Sequence, residues 1–112
     1  MVAEYRPRRG EVWLGSFGSS VGGEVQKTRP AVIVSNDTVN ALLNRVQVVP
    51  VSSQVQRLYP SEARITLGRV HRKAMADQIA TVSKRRLLCP VGTISNADLD
   101  EVARVVRLQL GL

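Results

Sequence analysis

The chain has one cysteine, one histidine and four aromatic residues among 112 residues, and each scarcity excludes something. A lone thiol, Cys89, forms no internal disulfide and supplies no thiolate quartet for zinc. Followed by Pro90, it reads as a small core residue. The single histidine, His71, excludes a two-histidine acid–base catalyst within one chain. It lies beside Arg72 and Lys73 and reads as a surface group. The nine acidic residues scatter outside the C-terminal segment, so the carboxylate cluster of a two-metal site is missing. No metal or organic cofactor is expected. The aromatics, Tyr5, Trp13, Phe17 and Tyr59, are too few for a broad base-stacking platform. No stretch is long or apolar enough to span a membrane. No apolar segment follows the N-terminal charges as in a signal peptide, so the cytoplasm is the expected compartment.

What the chain has is positive charge. Sixteen Lys and Arg against nine acids leave a net charge of +7. Such a surplus on a small domain favours a polyanionic partner, either nucleic acid or an acidic protein. The basic residues cluster at Arg6, Arg8 and Arg9, at Arg69, Arg72 and Lys73, and at Lys84, Arg85 and Arg86. They read either as solvated surface or as one phosphate-binding face. With 44% hydrophobic residues the chain is a folded globular protein. One domain over residues 1–112 is expected, with 1–8 a basic, flexible arm.

Short strands dominate the pattern. Strands are expected at Glu11 to Leu14, Ala31 to Ser35, Val46 to Ser53, Ala63 to Leu67, Met75 to Val82 and Val91 to Ile94. Pro50 marks an edge, a bulge or a kink in the third of these. Ser35-Asn36-Asp37 caps a short helix through about Asn44, and Ser83 caps one turn through Leu87. The clearest helix is C-terminal. Leu99, Val102, Ala103, Val106 and Leu110 recur at helical spacing, and Ser95 with Asp98 resembles a capping box with a shorter acid. Acids lead and arginines follow, as the helix dipole prefers. The fold class is mainly β with helices: a small, partly open β-barrel with a C-terminal helix packed on it.

The chemistry concentrates at Gly22-Gly23-Glu24-Val25-Gln26-Lys27-Thr28-Arg29-Pro30, a polar stretch feeding the apolar Ala31 to Val34. A carboxylate, a lysine, a hydroxyl and an arginine thus ride on a loop anchored by a core strand, a common way to present a reactive site. The preceding residues, Gly15 to Gly23, hold four of the eight glycines and suit a hairpin connector or a lid over a groove. Lys27-Thr28 is no phosphate loop, because Gln26 rather than glycine precedes the lysine and a proline and strand follow. A Ser-His-Asp set from Ser52, His71 and Asp77 has no motif behind it.

Taken in order, Arg9-Gly10-Glu11-Val12-Trp13, Thr28-Arg29-Pro30-Ala31-Val32-Ile33-Val34-Ser35-Asn36, Val48-Val49-Pro50-Val51-Ser52-Ser53, Ala76-Asp77-Gln78-Ile79, Lys84-Arg85-Arg86-Leu87 and the Leu110-Gly111-Leu112 end resemble the MazF/PemK family of toxin endoribonucleases. The likeness runs over residues 8–112. It implies an SH3-like barrel, a homodimer, metal-independent cleavage of single-stranded RNA at short sequences, and inhibition by a cognate, MazE-like antitoxin. The family's loop arginine falls on Arg29, its loop glutamate on Glu24 and its catalytic threonine on Ser52. Serine keeps the hydroxyl but lacks the methyl that stiffens the threonine rotamer. The role falls to Ser52 with looser placement, or to Ser53.

Metal-free RNA cleavage uses the 2′-hydroxyl as nucleophile and leaves a cyclic phosphate and a 5′-hydroxyl. It needs a proton acceptor, a donor to the leaving oxygen and positive charge on the transition state. Arg29 suits the last task, since its fork holds two phosphate oxygens and it stays protonated. Glu24 either accepts the 2′-proton or orients Arg29. Ser52 hydrogen-bonds the phosphate. Lys27, Thr28, Ser53 and Gln54 are expected RNA contacts, and Gln78 either reads a base edge or sits in a strand ladder. Two alternatives stand beside this: a non-catalytic, CcdB-like toxin that binds DNA gyrase and would load its C-terminal helix, and a relative that only binds RNA.

Overall fold

The computed structural model describes residues 6–17 and 28–112. The strands are β1 (Glu11–Ser16), β2 (Thr28–Ile33), β3 (Arg45–Ser52), β4 (Glu62–Leu67), β5 (Val70–Met75), β6 (Ala80–Ser83) and β7 (Leu87–Thr93). Helix α1 (Asp37–Leu42) joins β2 to β3, and α2 (Asn96–Leu110) ends the chain. The strands pair antiparallel in the order β4-β5-β3-β2-β1-β7, with β6 also on β3. The result is a mostly β fold with a curled antiparallel sheet, a half-barrel closed on one side by α2.

Valine-rich runs sit at the centre because both faces of β2 and β3 are covered. Val32, Val49 and Val51 pack with Val12, Ile65, Val102 and Val105 on one face. Ala31, Ile33, Val46 and Val48 pack with Trp13 and Val82 on the other. Strands buried on both sides read as continuous apolar runs, and Ala31 to Val34 and Val46 to Val51 do so. Each valine so buried stabilises the fold by about 1.5 kcal/mol or more.

Pro50 lies within β3 and is buried, not at an edge. On one flank β3 pairs β2 without a break. On the other it pairs β6 through Val48 and β5 from Val51. Pro50 falls in the gap between those two partners, where a missing N–H costs no ladder bond.

Helix ends follow their side chains. Asn36 caps α1, its Oδ1 accepting from the Thr38 N–H at 2.9 Å and the Val39 N–H at 3.2 Å. Ser95 caps α2, its Oγ accepting from the Asp98 N–H at 3.1 Å. The expected box stays half-formed: the Asp98 carboxylate instead accepts from the Thr66 N–H of β4 at 2.9 Å, tying helix to sheet. Gly111 ends α2 at φ 73°, a conformation that favours glycine.

Three expectations change. The stretch Met75 to Val82 is not one strand: β5 ends at Met75, a single 3₁₀ turn spans Ala76–Gln78, and β6 starts at Ala80. The strand Val70–Met75 lies on the basic run around Arg72 and Lys73, where the residue pattern predicts no strand. Cys89 is exposed rather than core: among the described residues β7 pairs only β1, and Leu88 to Val91 are all exposed. Of the expected N-terminal arm, residues 1–5 lie outside the described residues and Pro7 is buried. Among the described residues, no helix is long and apolar enough to cross a membrane. Among them too, no group of three or more His, Cys, Asp or Glu could hold a metal ion.

Candidate active site

Two strands bring the two leading candidates together. The β2–β3 ladder pairs Ile33 with Val48, Val32 with Val49 and Ala31 with Pro50. Carrying that register to the strand ends sets Arg29 opposite Ser52. Arg29 itself is fixed from the other side, where it pairs with Gly15 of β1. Pro30 presets the backbone that follows Arg29 and holds the arginine extended.

Arg29 and Ser52 line one cleft of about 500 Å³, together with Ser53, Gln54 and Arg72. Its apolar lining comes from Leu14, Pro30, Val51, Leu67 and Val91. The Ser52 hydroxyl oxygen accepts from the Gln54 N–H at 3.0 Å, which fixes the oxygen and leaves its O–H able to donate. Gly92 is adjacent to this lining: a Cβ there would stand 2.7 Å from a methyl of Leu67.

A second cleft of about 390 Å³ lies on the other side of Arg29 and shares it as a wall. Gln78, Thr81 and Arg86 supply its other polar groups, and Phe17, Val48, Pro50, Ala80 and Val82 its apolar floor. Gln78 belongs to the turn before β6, outside the ladder. Arg86 donates to the Ser16 carbonyl at 3.3 Å, pinning the end of β1. Arg72 thus lines the first cleft, Arg86 the second, and Arg29 both. Among the described residues the ion pairs are Lys73–Glu62 and Arg104–Glu101, so none of the three is neutralised by a described carboxylate. Positive charge on low-dielectric apolar walls suits a polyanion backbone.

The other candidates divide. Thr28 is exposed at the start of β2. Glu24 and Lys27 lie outside the described residues. Sequence reading named Arg72 and Arg86 only as members of basic clusters and assigned neither to the site. The signal that could have found Arg72 is the alternation of Val70, Arg72 and Ala74, hidden by three consecutive polar residues; no local pattern marks Arg86.

Lys73, next to Arg72, is different: it is 6% exposed and paired. Its Nζ lies 2.9 Å from Glu62 Oε1 and donates to the Arg57 carbonyl at 3.0 Å. Burial pushes the Glu62 carboxyl up, but the Tyr59 N–H bond and the Lys73 ammonium outweigh it and hold the carboxyl below its ordinary value.

The chain is similar to proteins of known kind over nearly all its length. The profile of the PemK-like, MazF-like toxin of type II toxin-antitoxin system matches residues 8–110. Endoribonuclease MazF9 of Mycobacterium tuberculosis is 39% identical over 114 aligned residues, covering 94% of this chain and 97% of that protein. The crystal structure of MazF from Deinococcus radiodurans superposes with a TM-score of 0.82 at 27% identity, covering 97% of this chain and 100% of the other. The MazE–MazF crystal structure from the same organism superposes at 0.75 with 28% identity, covering 97% and 99%. An arginine–hydroxyl cleft on a curled half-barrel and a match spanning the described strands and helices lead to one assignment: the chain belongs to the PemK-like, MazF-like toxins of type II toxin–antitoxin systems.

Proposed function

We propose that the two clefts sharing Arg29 cut single-stranded RNA without a metal, making this chain an endoribonuclease toxin that a cognate antitoxin neutralises. The observation that carries the reading is that Arg29 and Ser52 line one cleft. The RNA 2′-oxygen attacks the adjacent phosphorus and the bond to the 5′-oxygen breaks. The 2′-proton passes to Glu24 or to water, the leaving 5′-oxygen takes a proton from water, and the products are a 2′,3′-cyclic phosphate and a 5′-hydroxyl. Arg29 clamps the phosphate and neutralises charge as it develops on the equatorial oxygens, an electrostatic role of the kind that often contributes most to catalysis. The Ser52 O–H donates to a non-bridging oxygen. Glu24 takes the 2′-proton or holds Arg29 in place. Ser53 and Gln54 contact RNA in the first cleft and Gln78 in the second, with Lys27 and Thr28 as further RNA contacts.

The protein works as a homodimer with one domain spanning the chain, and it acts in the cytoplasm, where its RNA is. The gyrase-binding alternative is not favoured, because the relatives are named endoribonucleases. The test is purified protein with a long single-stranded RNA and excess chelator, followed by end-group analysis. Cyclic phosphate and 5′-hydroxyl ends are expected. Intact RNA, or cutting that stops when chelator is added, would overturn the proposal.

A further inference from the structure

Ser52, Ser53 and Gln54 lead directly into the segment 55–61, which belongs to no strand or helix. That segment is held instead by side chains reaching in from β4 and β5. Lys73 Nζ donates to the Arg57 carbonyl at 3.0 Å, and Glu62 Oε1 accepts from the Tyr59 N–H at 2.9 Å. The two charges meet at 2.9 Å with both side chains 8% exposed. The Tyr59 ring centroid stands 5.7 Å from the Lys73 ammonium and 5.8 Å from the Arg57 guanidinium. Arg64 adds a bond to the Val55 carbonyl at 3.3 Å. Lys73 is also the ladder partner of Ser52, and its neighbour Arg72 lines the cleft.

We propose that the buried Lys73–Glu62 pair is the positioning element of the RNA cleft: it touches no RNA but fixes the Ser52–Gln54 edge, and through it the affinity and word preference of cutting. This rests on the endoribonuclease reading above. A buried ion pair gives little net stability over apolar residues of equal volume, so stability alone gives no reason for its presence. Its geometry does: each charge holds a backbone group of the loop that continues the catalytic edge. Removing the pair lets that edge sample several placements, and interactions that depend on placement weaken first.

The test replaces both charges at once, Glu62→Leu with Lys73→Met, which leaves no unpaired buried charge and retains the fold. Cleavage is followed on a long RNA with every cut site mapped, beside wild type and Arg29→Ala. The expected result is a KM raised on the order of tenfold, a broader set of cut words and unchanged end groups, with kcat less affected. Lys73→Arg, which can keep both bonds, restores the wild-type word set. A double variant that melts like wild type and cuts the same words with the same KM overturns the positioning role. So does one whose only defect is a smaller folded fraction, lowering apparent kcat alone. Should the double variant fail to fold, Lys73→Arg and Glu62→Gln carry the test. Word preference kept by Lys73→Arg and relaxed by Glu62→Gln supports the proposal, and identical words in both overturn it. Failure of wild type to cut is a separate result that removes the endoribonuclease reading instead.

Discussion

Arg72 and Lys73 are consecutive residues of one strand put to opposite uses. Lys73 is buried, paired with Glu62 and bonded to a loop carbonyl. Arg72 lines the cleft beside Arg29 with no described carboxylate against it. The difference teaches that a basic cluster in sequence is not a single functional unit. A charge with a carboxylate partner holds the fold, and a charge without one is available to a phosphate. A lysine, with a flexible stem and compact head, takes the first task, and a planar fork takes the second.

The sharpest way to break this contrast is to remove one half of the pair. Glu62→Ala leaves the Lys73 ammonium buried and unpartnered and should cost about 3–5 kcal/mol in urea unfolding. The pair also predicts an acid limit. The Glu62 carboxyl is held below its ordinary value in the fold, so its contribution is complete above the unfolded-chain value of about 4.3. It is lost as pH falls through the folded value. A wild-type stability curve that stays flat there would contradict the pairing. On the cleft side, Arg29→Ala should reduce single-turnover RNA cutting by about 10²–10³-fold, the loss seen when one transition-state donor is deleted. Its urea midpoint should stay near wild type, because no described ion pair is broken. Ser52→Ala should slow cutting by about tenfold, with wild-type speed assigning the hydroxyl role to Ser53. The smallest effect belongs to Arg72→Ala and Arg86→Ala. Each should weaken RNA binding several-fold and flatten the plot of log affinity against log salt by about 0.7, the value for one phosphate contact on a single strand.

The fold was legible wherever a run had only one physical solution. Ala31 to Val34 and Val46 to Val51 had to be buried strands, and the spacing from Leu99 to Leu110 had to be a helix. The candidate site was legible as residue types on those strands, since Arg29 and Ser52 stand at their ends. What stayed hidden depended on partners distant in sequence. Val70–Met75 carries His71, Arg72 and Lys73, and nothing local says that Lys73 can be buried. That follows only once Glu62 is known to lie across the β4–β5 ladder. A lone small thiol suggests a core residue, yet Cys89 is exposed on a strand that, among the described residues, pairs on one side only. The break at Asp77-Gln78 was hidden by apolar residues on both sides of it.

β3 is a shared spine: Val48 and Pro50 face one cleft, and Val51 and Ser52 the other. Changing its length by a single residue after Ile33's partner would slide the two halves of the groove in the same stroke, and no repair in a neighbouring strand could realign both. Insertions after Gln54, by contrast, keep the residue count of the spine and act on one rim through the loop that Lys73 and Glu62 hold. Descendants of this chain are therefore free to diversify in that rim while the spine keeps its count of residues.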